Sequence, residues 1–260
     1  MERTTHTLQT KDGIAISLDA YRTGTHQAAV LLCPGFFQSK DTPTFQRMAH
    51  AISGDWDVLS MDFRGHGRSS GVYTFSARES ADLAVVLAWI RRHYARVGIV
   101  GFSMGGAVTI NTVAQHAEGI RSVIAVSAPC RFEDIDAKWW TPQALRTGLQ
   151  GLEPGAGCRP GNVLLKKPRP LEHVPRVSPI PLLLVHGTRD AIVGLEHSRR
   201  LYAAAGQPKR LEIIEGGSHA EALFRDDPQR FSGLVRDWFA QTLVQGPQRL
   251  PEDGQGDRMA

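Results

Sequence analysis

The sequence predicts an α/β fold, with a mostly parallel central sheet and helices on both of its faces. Three observations carry that prediction. Short apolar runs without alternation, Ala28 to Cys33, Val123 to Ala128 and Pro181 to Val185, read as strands buried on both faces. Stretches with helical apolar spacing lie between strands, so the order strand–helix–strand recurs along most of the chain. At 260 residues the chain is long enough for one such domain with a substantial core.

The first thirty residues read as an antiparallel hairpin. Thr7, Gln9, Ile14, Ile16 and Leu18 flank Asp12-Gly13, a dipeptide suited to a tight turn. After the strand that ends at Pro34-Gly35, a helix is expected with Thr42 as cap and Pro43 in its first turn. Asp57 to Asp62 is the next strand, closing into the loop Phe63 to Ser69. Ser76-Ala77-Arg78-Glu79 has the spacing of a capping box, and behind it Leu83, Val86, Leu87, Ile90 and Tyr94 share one helical face. Val97 to Val100 leads as a strand into Gly101-Phe102-Ser103-Met104-Gly105, and a helix continues beyond it.

From Arg131 to about Pro179 strands vanish and Gly and Pro accumulate, the mark of an insertion with one or two short helices. The α/β rhythm then resumes: strand Pro181 to Val185, helix Leu195 to Ala205, strand Arg210 to Ile214. A last helix has Asp227 as cap and Pro228 in its first turn. Residues 1–244 are read as one domain with the insertion at about 131–179, and 245–260 as a polar, disordered tail.

Composition narrows the function. A net charge of +4, with basic and acidic residues interleaved, gives no ground for nucleic acid. Three cysteines without framework spacing suit free thiols in a reducing compartment. Neither a secretory signal nor an apolar run long enough to cross a bilayer is visible, so a soluble cytoplasmic protein is expected. There is no H-E-x-x-H, no paired Cys/His spacing and no G-x-x-x-x-G-K-[ST]; neither a metal nor another cofactor is expected.

The chemistry concentrates at Ser103. A sharp strand–helix turn forces its apex into positive φ and brings strand and helix backbones close together. Gly101 and Gly105 remove the side chains that would collide. The turn pushes the hydroxyl outward and leaves the amide of Met104 at a helix N-terminus, where an oxyanion would form. A serine hydroxyl needs a base, and the base an orienting carboxylate. Asp190 and His219 each stand in the loop after a later strand, at the carboxyl edge where ligand chemistry belongs in such a sheet. Asp134 and Asp136, after the strand ending at Ala128, are the rival carboxylates.

Together Pro34-Gly35-Phe36, Asp62 to Ser69, Gly101 to Gly105, His186 to Asp190 and Gly216 to His219 resemble the α/β-hydrolase family, over nearly the whole chain. The nearest likeness is to single-domain serine esterases and lipase-like members with a short lid. The resemblance implies Ser103 as nucleophile, Asp190 as acid and His219 as base, with an oxyanion hole from the amides of Met104 and Phe36. Many relatives carry histidine where Pro34 stands. His66 and His186 are read as structural supports of their loops.

The insertion, with Trp139, Trp140, Leu145, Leu149, Leu152, Val163, Leu164 and Leu165, is expected to fold over the serine as an apolar lid. Phe37, Trp139 and Trp140 are assigned to the substrate pocket. Lys166, Lys167 and Arg169 read as solvated surface. The expected partner is a small-molecule acyl substrate, an ester first and a thioester next. Acyl transfer or peptide cleavage by the same residues is one alternative, and ligand binding without turnover is another.

Overall fold

The computed structural model describes residues 1–24, 26–54, 56–135, 152–162 and 164–244. The elements in chain order are β1 (Glu2–Gln9), β2 (Ala15–Arg22), β3 (Ala28–Cys33), α1 (Pro43–Ala51), β4 (Asp57–Met61), α2 (Glu79–Ile90), β5 (Arg96–Phe102) and α3 (Met104–Val113). They continue with β6 (Ile120–Val126), the short α4 (Pro170–His173) and its 3₁₀ extension Val174–Val177, β7 (Leu182–Gly187) and α5 (Glu196–Ala204). The last are β8 (Lys209–Ile214), α6 (Ala222–Asp226) and α7 (Pro228–Phe239), the last of which runs into a π turn at Ala240–Val244.

One eight-stranded sheet joins the strands in the order β1-β2-β4-β3-β5-β6-β7-β8. β1 pairs antiparallel with β2 and β2 with β4; every later pairing is parallel. The expected hairpin is therefore the edge of the sheet, and the expected parallel strands are its body.

Side-chain alternation divides the core into two layers. Along β3, Ala29, Leu31 and Cys33 join Leu83, Val86, Leu87 and Val108 on the face covered by α2 and α3. Ala28, Val30 and Leu32 point the other way, to Phe45, Met48, Phe231, Val235 and Trp238 of α1 and α7. A strand with an apolar residue at every position has to be covered on both sides, which is why these runs show no polar face. Among the described residues no helix is long and apolar enough to cross a membrane.

Two helix starts differ from the sequence reading. Ser76 does not cap α2, and no side-chain capping bond is made from its N-cap position, Arg78. The reciprocal pair is shifted: Arg78 donates its amide to Thr74 Oγ1 at 3.1 Å, and the Glu79 carboxylate accepts from the Thr74 amide at 2.6 Å. Positive φ at Phe75 and Ser76 turns the chain so that threonine, two residues earlier, faces the helix end. Thr42 does occupy the N-cap position of α1, but its hydroxyl donates to the Ser39 carbonyl. The orphan amide of Thr44 is taken by Glu153 of the insertion at 2.9 Å. Asp227 caps α7 as expected, accepting from Arg230 N at 3.0 Å.

The return limb of the insertion, residues 152–162, lies along the loops after β3 and β4. Gly157 donates to the Phe37 carbonyl at 2.8 Å and Arg159 to Gly65 at 2.7 Å; Tyr73 donates to Arg159 and Gly161 to Tyr73, both at 2.8 Å. Trp139, Trp140, Asp136, Leu145, Leu149, Val163 and the tail from 245 lie outside the described residues. Leu152 and Leu164, expected among the apolar lid residues, are exposed.

Candidate active site

The β5–α3 turn places Ser103 at φ 50° and ψ −116°, the positive-φ apex that the sequence requires. Its amide donates to the Val126 carbonyl at 2.8 Å, which ties the apex to the neighbouring strand β6. A Cβ on Gly101 would come within 2.6 Å of the Gly105 carbonyl oxygen, and one on Gly105 within 2.2 Å of the Cys33 carbonyl oxygen. No side chain fits at either position, so the two glycines are what permit the turn.

The structure brings Ser103, His219 and Asp190 together. Ser103 Oγ lies 3.0 Å from His219 Nε2, and His219 Nδ1 lies 2.7 Å from Asp190 Oδ2. With Nδ1 donating to the carboxylate, Nε2 is left to accept from the serine hydroxyl. Asp190 follows β7 and His219 follows the adjacent β8, so neighbouring parallel strands deliver both to one sheet edge.

Asp190 is held on every side. Its Oδ1 accepts the amides of Ile192 at 3.0 Å and Val193 at 2.9 Å. The buried ring of His186 donates from Nε2 to the Val193 carbonyl at 2.7 Å, with Asp190 Oδ2 3.3 Å from the same nitrogen. His186 Nδ1 accepts from Ser198 at 2.7 Å. The support expected of His186 is what it provides. Burial alone would raise the Asp190 carboxyl, but the interactions with His219 and the hydrogen bond of His186 outweigh it and hold it far below the usual carboxylate range. Burial would likewise depress His219, yet Asp190 raises it above its ordinary 6.5. Asp134, the rival carboxylate, is paired instead with Arg200 at 2.7 Å.

Next to the serine, a Cβ on Gly35 would sit 3.2 Å from Ser103 Cβ, so the segment Gly35-Phe36 runs directly beside Ser103. Phe37, at φ 69°, gives its amide to His66 Nε2 at 3.2 Å. His66 in turn donates from Nδ1 to the Arg64 carbonyl at 3.1 Å and is 1% exposed. Burial pushes its pKa down to about 4, which keeps the ring neutral and Nε2 free to accept. His66 thus packs the loop, as its sequence reading holds, and also fixes the chain next to Phe36. The Met104 amide is the first of α3, where no intrahelical acceptor exists.

Several contributors carry no local sequence signal. Ser127, at φ 49°, accepts the amide of Ala220 at 3.0 Å, and Ala220 is itself at φ 49°. That contact joins the end of β6 to the residue after His219. Lys40 is fully buried, with Nζ 3.1 Å from Asp19 and 3.9 Å from Asp62. Asp62 also accepts the amides of Lys40 at 2.8 Å and Arg68 at 2.9 Å, which anchors the loop after Phe37 to the loop holding His66. Glu221, two residues past His219 and 7% exposed, is raised by burial. Among the surface cations of the insertion, Arg169 pairs with Glu133 at 3.1 Å and Glu172 at 3.2 Å.

A family model described as the alpha/beta hydrolase fold matches residues 28–166. The uncharacterized protein YfhR of Escherichia coli O157:H7 is 33% identical over 174 residues, which cover 65% of this chain and 55% of YfhR. The match thus spans only about half the length of that relative. The esterase Pf2001 of Pyrococcus furiosus superposes with a TM-score of 0.74 at 21% identity, over 93% of this chain and 91% of that one. The esterase RhEst1 of Rhodococcus sp. ECU1013 gives 0.73 at 20% identity, over 91% and 98%. At these identities the two solved structures speak to fold. Sheet order, positive-φ serine turn and family match agree: the chain belongs to the α/β-hydrolase fold family.

Proposed function

We propose that this protein is a serine hydrolase that cleaves carboxylic esters or thioesters of small to medium apolar acyl groups through an acyl-enzyme on Ser103. The observation that carries the reading is the unbroken chain from Ser103 Oγ to His219 Nε2 at 3.0 Å and from His219 Nδ1 to Asp190 at 2.7 Å.

Ser103 Oγ attacks the substrate carbonyl as His219 Nε2 takes its proton. Asp190 accepts the hydrogen bond from Nδ1, which fixes the tautomer, and balances the imidazolium that forms. The carbonyl oxygen becomes an oxyanion, stabilised by the amides of Met104 and Phe36. Phe36 is preferred over Phe37 because the Phe37 amide is committed to His66. The tetrahedral intermediate collapses, the C–O or C–S bond breaks, and His219 returns the proton to the leaving group. Water then attacks the acyl-enzyme by the same route, releasing the acid and restoring Ser103. Phe37, Trp139 and Trp140 are proposed to contact the substrate.

A fluorophosphonate probe is expected to label the wild-type chain and not Ser103→Ala. Labelling that survives the substitution overturns the assignment. A series of p-nitrophenyl esters of graded chain length, with a thioester beside them, then reads the acyl preference.

A further inference from the structure

Phe36 is 47% exposed, although four rings surround it. Tyr73 stacks on it at 5.2 Å and 28°, and Phe75 at 6.0 Å and 30°. Phe37 and His66 meet it edge-on at 5.9 and 6.2 Å. Tyr73 and Phe75 are themselves 4.4 Å apart.

These rings are held in place by built features. Phe37, Phe75 and Ser76 adopt positive φ without being glycine, at 69°, 55° and 73°. Such conformations persist only where the surroundings over-determine them, and they cluster at ligand sites. The surroundings are visible here. The fully buried Glu79 carboxylate accepts the Thr74 amide and hydroxyl, pinning the residue before Phe75. The Tyr73 backbone is paired on both sides with the return limb of the insertion, at Arg159 and Gly161. His66 holds the Phe37 amide. The outcome is a rigid aromatic wall whose free ring belongs to the residue next to Gly35, and a Cβ on Gly35 would sit 3.2 Å from Ser103 Cβ.

We propose that the Phe36–Phe75 wall is a subsite for a planar aryl group, so that preferred esters carry an aromatic ring in the acyl or the alcohol part. The inference rests on the serine hydrolase reading and names the substrate class of that site. An alkyl chain gains only from buried area against such a wall. A planar ring adds offset or edge-to-face stacking, worth about a 2- to 12-fold preference over a saturated ring of the same outline.

The test compares kcat/KM for matched pairs: methyl phenylacetate with methyl cyclohexylacetate, and benzyl acetate with cyclohexylmethyl acetate. The first pair reads the acyl side and the second the alcohol side. Wild-type protein is expected to favour the aromatic member about 3- to 10-fold in one pair. In Phe75→Leu that ratio falls to about 1–2, with the cyclohexyl member of each pair as the internal reference. Phe36→Leu serves as a second variant, read only as the aryl-to-cyclohexyl ratio, since its amide belongs to the proposed oxyanion hole. Ratios near one in both wild-type pairs overturn the proposal, as does a preference that both variants retain. Fluorophosphonate labelling at Ser103 separates the two failures: labelled protein without aryl preference sinks the subsite alone, and unlabelled protein sinks the hydrolase reading.

Discussion

Replacing Ser127 with alanine removes one oxygen and leaves the rest of the fold in place. That oxygen accepts the amide of Ala220 at 3.0 Å, and both residues are fully buried. In Ser127→Ala the Ala220 N–H either stays without an acceptor or moves to reach water. The first costs about 1–3 kcal/mol, the usual penalty for a buried donor left unmade. The second carries His219, one residue earlier, away from Ser103, and a displacement of about 1 Å can cost about a hundredfold in rate. The expected result is a fall in kcat of about 10- to 100-fold on p-nitrophenyl butyrate, with KM within about twofold. The melting temperature should fall by about 2–10 °C. Ser127→Gly separates the two ingredients, since glycine relieves the φ of 49° at this position without restoring the acceptor. It should recover stability relative to alanine and leave kcat low. If both variants turn over within about twofold of wild type, the contact does not position His219 and the reasoning fails.

Other expectations follow from the same geometry. The rate should rise with pH through a pKa above 6.5, because His219 has to be neutral to take the proton and Asp190 raises it; a kcat/KM profile measures this. Asp190→Asn should move that limb to lower pH and reduce kcat by on the order of 10⁴-fold. His66→Leu leaves the Phe37 amide and the Arg64 carbonyl without their partner, so kcat should drop about 10- to 100-fold, with partial recovery in His66→Gln. Because the His66 pKa falls from 6.5 to about 4 on folding, the unfolded chain binds that proton first as pH drops. The wild type should therefore lose about 3 kcal/mol between those values that His66→Gln does not, as read by urea unfolding at stepped pH. Glu153→Ala uncaps α1 at Thr44 and should cost about 0.5–2 kcal/mol, visible by calorimetry.

The sheet and the Ser103 turn were legible because both are local in sequence. Unbroken apolar runs specify strands covered on two sides, and glycines two residues either side of Ser103 specify a turn that no other residue type permits. Asp190 and His219 were legible because parallel strands deliver the ends of successive strands to one edge. The contacts that hold these residues were not. Ser127 meets Ala220 across 93 residues, and His66 meets Phe37 across 29, through a side chain on one loop and an amide on another. Nothing in the composition of either loop encodes that pairing. The capping box at Ser76 failed for a related reason. Spacing alone does not reveal that positive φ at Phe75 and Ser76 turns Thr74 toward the helix. A fully buried lysine such as Lys40 is likewise invisible until its three aspartate neighbours are in view.

The hydrogen bonds from the 152–162 limb to Phe37 and Thr44 have a practical consequence for engineering. An insertion grafted from another member of the fold family would bring its own path, and with it a different set of bonds to the strand-end loop beside Ser103. Selectivity and turnover should therefore change together in such chimaeras. Transplants that keep residues 152–161 as native sequence are the ones in which substrate choice can be varied while speed is preserved.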